Sequence, residues 1–219
     1  LNVGGSFVAT TANAIQFGNI GFFSADNPNA PTPLLTINPS ALLFNQLPTA
    51  IINRSIAAAG VNPAGVEVTG LRVPDGKSLL LGGGNINLEN GALRAYGGRI
   101  ELAGLAAPGV VGVNVAENTL SFSVPNDFPR ADISLSNAAE INVRGADGGS
   151  IAINAQNLSL AGESKLRAGI DTGLGTPQSK AGDIDINAIH DHMVLIKQQN
   201  DHIAKLDAKI AEHNLENEK

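Results

Sequence analysis

Three short segments of this 219-residue chain contain residue types that could do chemistry. Asp183 and Asp185 stand two residues apart, and paired carboxylates serve both calcium sites and glycosidases. Residues 70–78 read GLRVPDGKS, which ends like a phosphate-binding loop. Residues 144–147 read RGAD, which differs from an integrin-type adhesive tripeptide by one inserted alanine. These segments are the candidates for calcium or acid–base chemistry, nucleotide binding and adhesion.

Each segment also has a plainer explanation. Five residues separate Gly70 from Gly76, where a phosphate-binding loop needs four, and Ser78 leads into an apolar run instead of a helix. We therefore predict a turn at Pro74 followed by a strand. The two aspartates occupy alternate polar positions of a predicted strand, and the tandem nonapeptides of a calcium-binding β-roll are absent. The sequence thus assigns no catalytic, cofactor-binding or metal-binding residue and predicts no cofactor.

The residue types that are missing exclude several enzyme classes. The chain has no cysteine, and its four histidines stand at positions 190, 192, 202 and 213. Residues 1–188 therefore lack the imidazoles and thiols that Ser-His-Asp sites, Cys-His sites and most zinc sites require. A carbohydrate-cleaving enzyme would instead gather charged groups on one face, and the residues that test this alternative are Asp132, Arg144, Asp183 and Asp185. We predict that the protein is not an enzyme.

Composition and charge limit the possible partners. The formal net charge is −6, and no run of basic residues occurs, which argues against nucleic acid as a partner. Hydrophobic residues make up 43% of the chain, enough for a substantial core. No apolar stretch reaches the roughly 20 residues that span a bilayer as a helix.

One short phrase recurs in the sequence, and the structure that it forms must position any functional residue. It consists of a glycine followed by alternating polar and apolar residues, which is typical of a half-buried strand entered from a turn, and we attribute its glycine to a positive φ. In the second copy the alternation predicts Ile100 in the core and Glu101 in solvent. Such recurrence indicates a repeat architecture. The four copies are Gly84-Asn85-Ile86-Asn87-Leu88, Gly98-Arg99-Ile100-Glu101-Leu102, Gly149-Ser150-Ile151-Ala152-Ile153 and Gly182-Asp183-Ile184-Asp185-Ile186.

Longer phrases extend this pattern over about residues 1–188. In this order they closely resemble the N-terminal two-partner-secretion (haemagglutination activity) domain of filamentous-haemagglutinin-like exoproteins, with the cyanobacterial members most similar. The family's Asn-Pro-Asn-Gly-Ile motif and capping strands are expected just upstream of Leu1. The phrases are GGSFVATTANAIQFGNIGFFSADNP, LLTINPSALLFNQ, VPDGKSLLLGGGNINLENGALRAYGGRIELAGL, ADISLSNAAEINV and AGDIDINA.

The resemblance implies a fold and a function. The fold is all-β, a right-handed single-stranded parallel β-helix (solenoid), for which we expect about eight turns of ~22 residues. The function is that of a secretion module and structural start of a large secreted adhesin, exported through an outer-membrane β-barrel partner and associated with the cell surface. Further partners would be a host-cell or glycan surface. The alternative is a polysaccharide-binding or polysaccharide-degrading β-helix protein, whose sugar groove would include an exposed Tyr96.

Two kinds of segment interrupt the pattern. Residues 46–70 and 107–135 contain prolines and predict excursions from the stack, the first an extended loop or small hairpin. Residues 189–219 contain neither glycine nor proline, and isoleucines recur every seven residues at positions 189, 196, 203 and 210. This heptad period predicts a short C-terminal α-helix that self-associates weakly. The tail departs abruptly from the family pattern, so we treat 1–188 and 189–219 as separate domains, the second as foreign.

Overall fold

The computed structural model describes residues 4–28, 37–116 and 119–188, and it confirms an all-β chain. Within these residues there is no helix, and therefore no helix that could cross a membrane. The strands are β1 Phe7–Thr10, β2 Ala14–Phe17, β3 Gly21–Ser24, β4 Ala41–Phe44, β5 Ile51–Asn53, β6 Ala58–Val61, β7 Glu67–Thr69, β8 Leu71–Arg72, β9 Ser78–Gly83, β10 Ile86–Glu89, β11 Ala92–Arg94, β12 Arg99–Gly104, β13 Gly109–Ala116, β14 Thr119–Ser123, β15 Ile133–Ser136, β16 Glu140–Asn142, β17 Ser150–Ala155, β18 Leu158–Leu160, β19 Lys165–Arg167 and β20 Ile184–Ala188.

Most of these strands belong to three parallel sheets. Sheet 1 has the order β1-β9-β12-β17-β20, sheet 2 the order β5-β10-β15-β18 and sheet 3 the order β8-β11-β16-β19. From β8 onward, and apart from the β13–β14 pair, the chain visits sheets 3, 1 and 2 in constant rotation. Each new strand therefore pairs with the strand laid down one circuit earlier.

Three copies of the repeated phrase lie on sheet 1 in exact register. Ile100 is paired with Leu79 on one side and Ile151 on the other, and Ile151 is paired with Ile184. The first copy, which begins at Gly84, lies on sheet 2, where Ile86 is paired with Ile133. The alternation thus stacks apolar side chains into columns across successive circuits, which is the ladder packing expected of a repeat.

The glycine of the phrase has a different role from the predicted one. None of the glycines at positions 84, 98, 149 and 182 has a positive φ. Instead, another circuit passes too close for a side chain, since a Cβ on Gly149 would lie 2.5 Å from the carbonyl oxygen of Gly98 and 2.6 Å from that of Val143. Close backbone approach, and not turn geometry, selects glycine here.

A fourth sheet is antiparallel and is built from two distant parts of the chain. Its order is β14-β13-β4-β2-β3, so that β2, β3 and β4 come from the insertion after β1, and β13 and β14 from the insertion after β12. The two parts meet where Leu42 of β4 is paired with Val111 of β13. The fifth sheet is a small β6–β7 hairpin, which confirms the hairpin alternative for residues 46–70.

Sheet 1 separates two hydrophobic cores. The first core is enclosed by the parallel sheets and contains the inward side chains of sheet 1, such as Leu81 and Leu102. The second lies between sheet 1 and the antiparallel sheet and contains Leu80, Leu42 and Phe122. Leu80 and Leu81 are neighbours in sequence, yet both are buried, at 0% and 2% exposure. A parallel sheet covered on both faces is the usual environment for such a continuous apolar run.

Two fold predictions need correction or lie outside the described residues. The expected eight turns are wrong, since sheet 1 contains five strands and sheets 2 and 3 contain four each. The reason is that strands β2–β4, β6–β7 and β13–β14 belong to other sheets and add no strand to sheets 1–3. The C-terminal helix falls on residues 189–219, which lie outside the described residues.

Candidate functional site

The segment that resembles a phosphate-binding loop is a turn that enters a strand. Gly76 has a φ of +74°, and Ser78 begins β9 with 0% of its surface exposed. The Ser78 hydroxyl accepts a hydrogen bond from the backbone N–H of Leu120 at 2.9 Å. Since the serine is buried against another strand and opens no helix, the segment cannot cradle a phosphate in the manner of the motif.

The four charged residues that test for an enzyme are not brought together. Asp132 precedes β15 of sheet 2 and accepts a hydrogen bond from the Asn157 amide at 2.8 Å. Arg144 follows β16 of sheet 3 and forms an ion pair with Asp171 at 3.0 Å. Asp183 and Asp185 lie at the last strand of sheet 1. Within the described part of the chain, no group of three or more His, Asp or Glu side chains could hold a metal ion.

Tyr96 is buried, so the expectation of an exposed tyrosine in a sugar groove is wrong. Its side chain is 1% exposed, because the Arg72 guanidinium covers the ring at 4.9 Å from the ring centroid. Arg94 donates a hydrogen bond to the Tyr96 hydroxyl at 3.4 Å. Burial raises the pKa of the Tyr96 phenol above its ordinary value, against the opposing effect of Arg94. Tyr96 therefore supports the packing of sheet 3 and does not present a surface.

A polar network ties successive strands of sheet 3 together on its outer face. The Glu140 carboxylate forms ion pairs with Arg94 of the preceding circuit and Arg167 of the following one, both at 3.0 Å. Asn142 donates a further hydrogen bond to Glu140 at 3.2 Å. One carboxylate thereby pairs with two guanidinium groups and links three neighbouring strands of sheet 3.

Glu101 is the polar residue that the sequence placed wrongly. Alternation predicted it in solvent, but it is 2% exposed, because the antiparallel sheet covers the outer face of sheet 1. Its Oε2 atom accepts hydrogen bonds from the Phe122 backbone N–H at 3.1 Å and from two nitrogens of Arg99, Nε at 3.1 Å and Nη2 at 3.0 Å. Burial raises the pKa of the Glu101 carboxyl, and Asp185 adds to this effect, whereas Arg99 and the Phe122 hydrogen bond oppose it.

Gly82 completes the outer face of sheet 1. A Cβ at this position would lie 3.0 Å from Cζ of Phe122, so the aromatic ring sits where a side chain would otherwise project. Ser78, Gly82 and Glu101 thus receive strand β14 through two hydrogen bonds and one ring contact. We call these three residues the β14 seat. No sequence pattern indicated that these residues contact another strand, although the apolar Leu80 beside Leu81 was a sign that both faces of sheet 1 are covered.

The β14 seat is a docking surface for a strand of the same chain, and its chemistry is that of packing and hydrogen bonding. Its polar groups, Ser78 and Glu101, are occupied by internal partners. The β14 seat therefore supports a structural role for the outer face of sheet 1. A catalytic site would instead need reactive groups that are accessible to a substrate.

Comparison with known proteins gives one match. The model of the TPS secretion domain family matches residues 1–153, which extends from the N-terminus into β17. The match thus includes both parts of the antiparallel sheet and the complete β14 seat. No curated protein and no solved structure matches the chain. Since the matched region is most of the chain, the protein belongs to the family of TPS secretion domains, the N-terminal domains of the two-partner secretion pathway.

Proposed function

We propose that residues 1–188 are the secretion module and structural start of a large secreted exoprotein, exported through an outer-membrane β-barrel partner. The observation that carries the proposal is the family match over residues 1–153. The module has no catalytic role in this proposal. Adhesion to a host-cell or glycan surface, and residence at the cell surface, are assigned to the whole exoprotein because of the resemblance to filamentous haemagglutinins of the cyanobacterial type.

The topology supports export with the N-terminus first. We infer that sheets 1, 2 and 3 are the faces of one parallel β-helix, because the chain visits them in constant rotation from β8 onward. In such a stack a new strand needs only the strand one circuit earlier as its template, as with Ile151 on Ile100. A chain that emerges from a pore can therefore add circuits in the order of their arrival.

Each added circuit stabilises the part that has already emerged. Ile151 and Ile153 become about 99% buried when β17 pairs with β12 and β20 pairs with β17. Full burial of such a side chain contributes roughly 1.5–3 kcal/mol. Folding outside the cell can thus oppose backward movement of the chain, and the absence of cysteine means that no disulfide can trap the chain before it crosses the membrane.

The test is export with and without the partner. The chain, preceded by a cleavable signal peptide and the family's Asn-Pro-Asn-Gly-Ile segment, would be expressed in a Gram-negative host, and its amount in the medium measured by immunoblotting. We expect export only when the cognate barrel is co-expressed. Export at the same level without the barrel, or cleavage of a polysaccharide by the purified chain, would overturn the proposal in favour of the β-helix enzyme alternative.

A further inference from the structure

The antiparallel sheet joins two insertions that are far apart in sequence. Strand β4 of the first insertion pairs with β13 of the second over four residue pairs, from Gly109 opposite Phe44 to Gly112 opposite Ala41. The first insertion leaves sheet 1 after β1, and the second leaves it after β12. The β4–β13 contact therefore connects the insertion that follows β1 to the insertion that follows β12, between residues 65 to 71 positions apart in sequence.

Residues that precede the second insertion depend on it for their burial. Leu42 and Phe44 of β4 and Leu80 of β9 are 2%, 2% and 0% exposed, and all three belong to the second core. The opposite side of that core is supplied by the second insertion, through residues that include Val111, Val113, Phe122 and Phe128. Without the second insertion, three large apolar side chains of the earlier chain would lose this cover.

The attachment of the second insertion is also specific. Phe122 fits over Gly82, where even a methyl group would lie 3.0 Å from the ring. The backbone N–H groups of Leu120 and Phe122 donate to Ser78 and Glu101, so an edge of β14 that would otherwise be open is satisfied by side chains of sheet 1. Fit and hydrogen bonding at the β14 seat together select one position for the hairpin.

We propose that the β13–β14 hairpin is a clasp that commits residues 7–104 to their folded state: the earlier strands β4 and β9 reach stable packing only when residues 109–123 close over them. Apart from β1 and β9, which pair across 72 residues, neighbouring strands of sheets 1–3 pair across 21 to 51 residues, as Arg99 does with Ser78 and with Ser150. The β4–β13 contact spans 65 to 71 residues, and contacts between such distant parts of the chain form slowly. Closure of the clasp is then the step that sets the rate of folding for the first half of the domain.

The clasp adds a stage to export, and this consequence rests on the proposed function. For a chain that crosses the outer membrane N-terminus first, residues 7–104 would remain incompletely packed outside the cell until residue 123 has emerged. The second core would then close in one step and hold all three earlier circuits of sheet 1, β1, β9 and β12, against one antiparallel sheet.

The test follows refolding of the full chain from urea by pulsed hydrogen–deuterium exchange and mass spectrometry. Phe122→Leu weakens the clasp with little risk of preventing folding, and Ile153→Val is the matched control in the first core, far from the hairpin. In the wild type we expect the amides of β4, β9 and β13 to become protected in the same phase. Phe122→Leu should slow that phase by roughly threefold to tenfold, while Ile153→Val should leave its rate unchanged and speed unfolding instead.

Protection of β4 and β9 before β13, at a rate that Phe122→Leu does not alter, would overturn the clasp. A second variant, Gly82→Val, keeps the hairpin sequence intact and obstructs the place of the Phe122 ring, and it should slow the same phase. Refolding in the absence of any transporter tests the clasp by itself, so its failure would leave the proposed export function standing. Conversely, export at the same level without the barrel would overturn the proposed function and would not affect the clasp proposal.

Discussion

The backbone N–H of Phe122 donates a hydrogen bond to Oε2 of Glu101 at 3.1 Å, which ties the antiparallel sheet to the outer face of a parallel sheet. Glu101 is at the same time held by Arg99 on its own strand. A carboxylate that alternation assigns to solvent is therefore buried between two sheets, and its partners explain why it is tolerated there.

Removal of this carboxylate should destabilise the protein. Glu101→Ala leaves the buried Phe122 N–H without its acceptor and removes the carboxylate partner of the partly exposed Arg99, so we expect a loss of about 1–3 kcal/mol in the free energy of unfolding. The control is Glu89→Ala, which removes the ion pair with Arg54 on the surface and should cost less than about 1 kcal/mol. Urea denaturation measures both variants. Equal, small losses would show that Glu101 lies in solvent after all.

Glu101 also gives stability a specific dependence on pH. Because the pKa of its carboxyl is raised in the folded protein above the ordinary 4.5, the folded state binds the proton more tightly than the unfolded state. The resulting stabilisation is fully present below the unfolded pKa and is lost as pH rises through the folded pKa. Glu101→Gln cannot titrate, so the stability of this variant relative to wild type should improve as pH rises from about 4.5. Urea midpoints between pH 4 and pH 8 measure this difference, and a difference that is constant or falls over the range would contradict the raised pKa.

Arg130 is a buried charge that the protein should be able to lose. Its side chain is 5% exposed, its Nε atom has no hydrogen-bond partner, and Nη1 is 3.5 Å from the Asn187 amide oxygen. No acid in the described part of the chain forms an ion pair with it. Arg130→Met keeps much of the length and removes the charge, so we expect the free energy of unfolding to rise by about 1 kcal/mol. Arg130→Lys retains the charge and should show no gain. A marked loss of stability in the methionine variant would reveal a partner for the guanidinium.

The glycines that open the repeated phrase should not tolerate a methyl group. Gly149→Ala would place its Cβ at 2.5 Å from the Gly98 carbonyl oxygen and force two circuits apart. We expect a cost of about 1–3 kcal/mol, typical of overpacking. Gly5→Ala is the matched control, since a Cβ at Gly5 meets no atom within 4 Å. Thermal unfolding of the two variants checks the prediction, which a stable Gly149→Ala protein would refute.

The elements that sequence alone could predict are the ones that obey a local period. The stacking of Ile100, Ile151 and Ile184 follows from alternation behind a recurring glycine, and the structure confirms it. Turns that contain proline and glycine, such as the one before Ser78, are also predictable, because these residue types favour turns locally.

Features that depend on distant contacts could not be predicted. Alternation tells which side chains share a face, but it does not tell whether that face is covered, and Glu101 and Tyr96 are buried by groups from other parts of the chain. The pairing of β4 with β13 leaves no local signal, because each segment alone is an ordinary apolar strand. The eight-turn estimate failed on this point, since it divided all of residues 1–188 into turns of ~22 residues, including the residues that form the antiparallel sheet.

The central claim, that residues 1–188 form a secretion module, is tested most directly by asking whether they carry another segment out of the cell. The chain, preceded by a cleavable signal peptide and the family's Asn-Pro-Asn-Gly-Ile segment, would be fused to an unstructured, epitope-tagged passenger and expressed together with the cognate outer-membrane barrel. The measurement is the fraction of the tag in the medium, compared with the passenger alone and with the fusion in cells that lack the barrel. We expect tag in the medium only when module and barrel are both present. Passenger that stays in the periplasm although both are present and intact would contradict it.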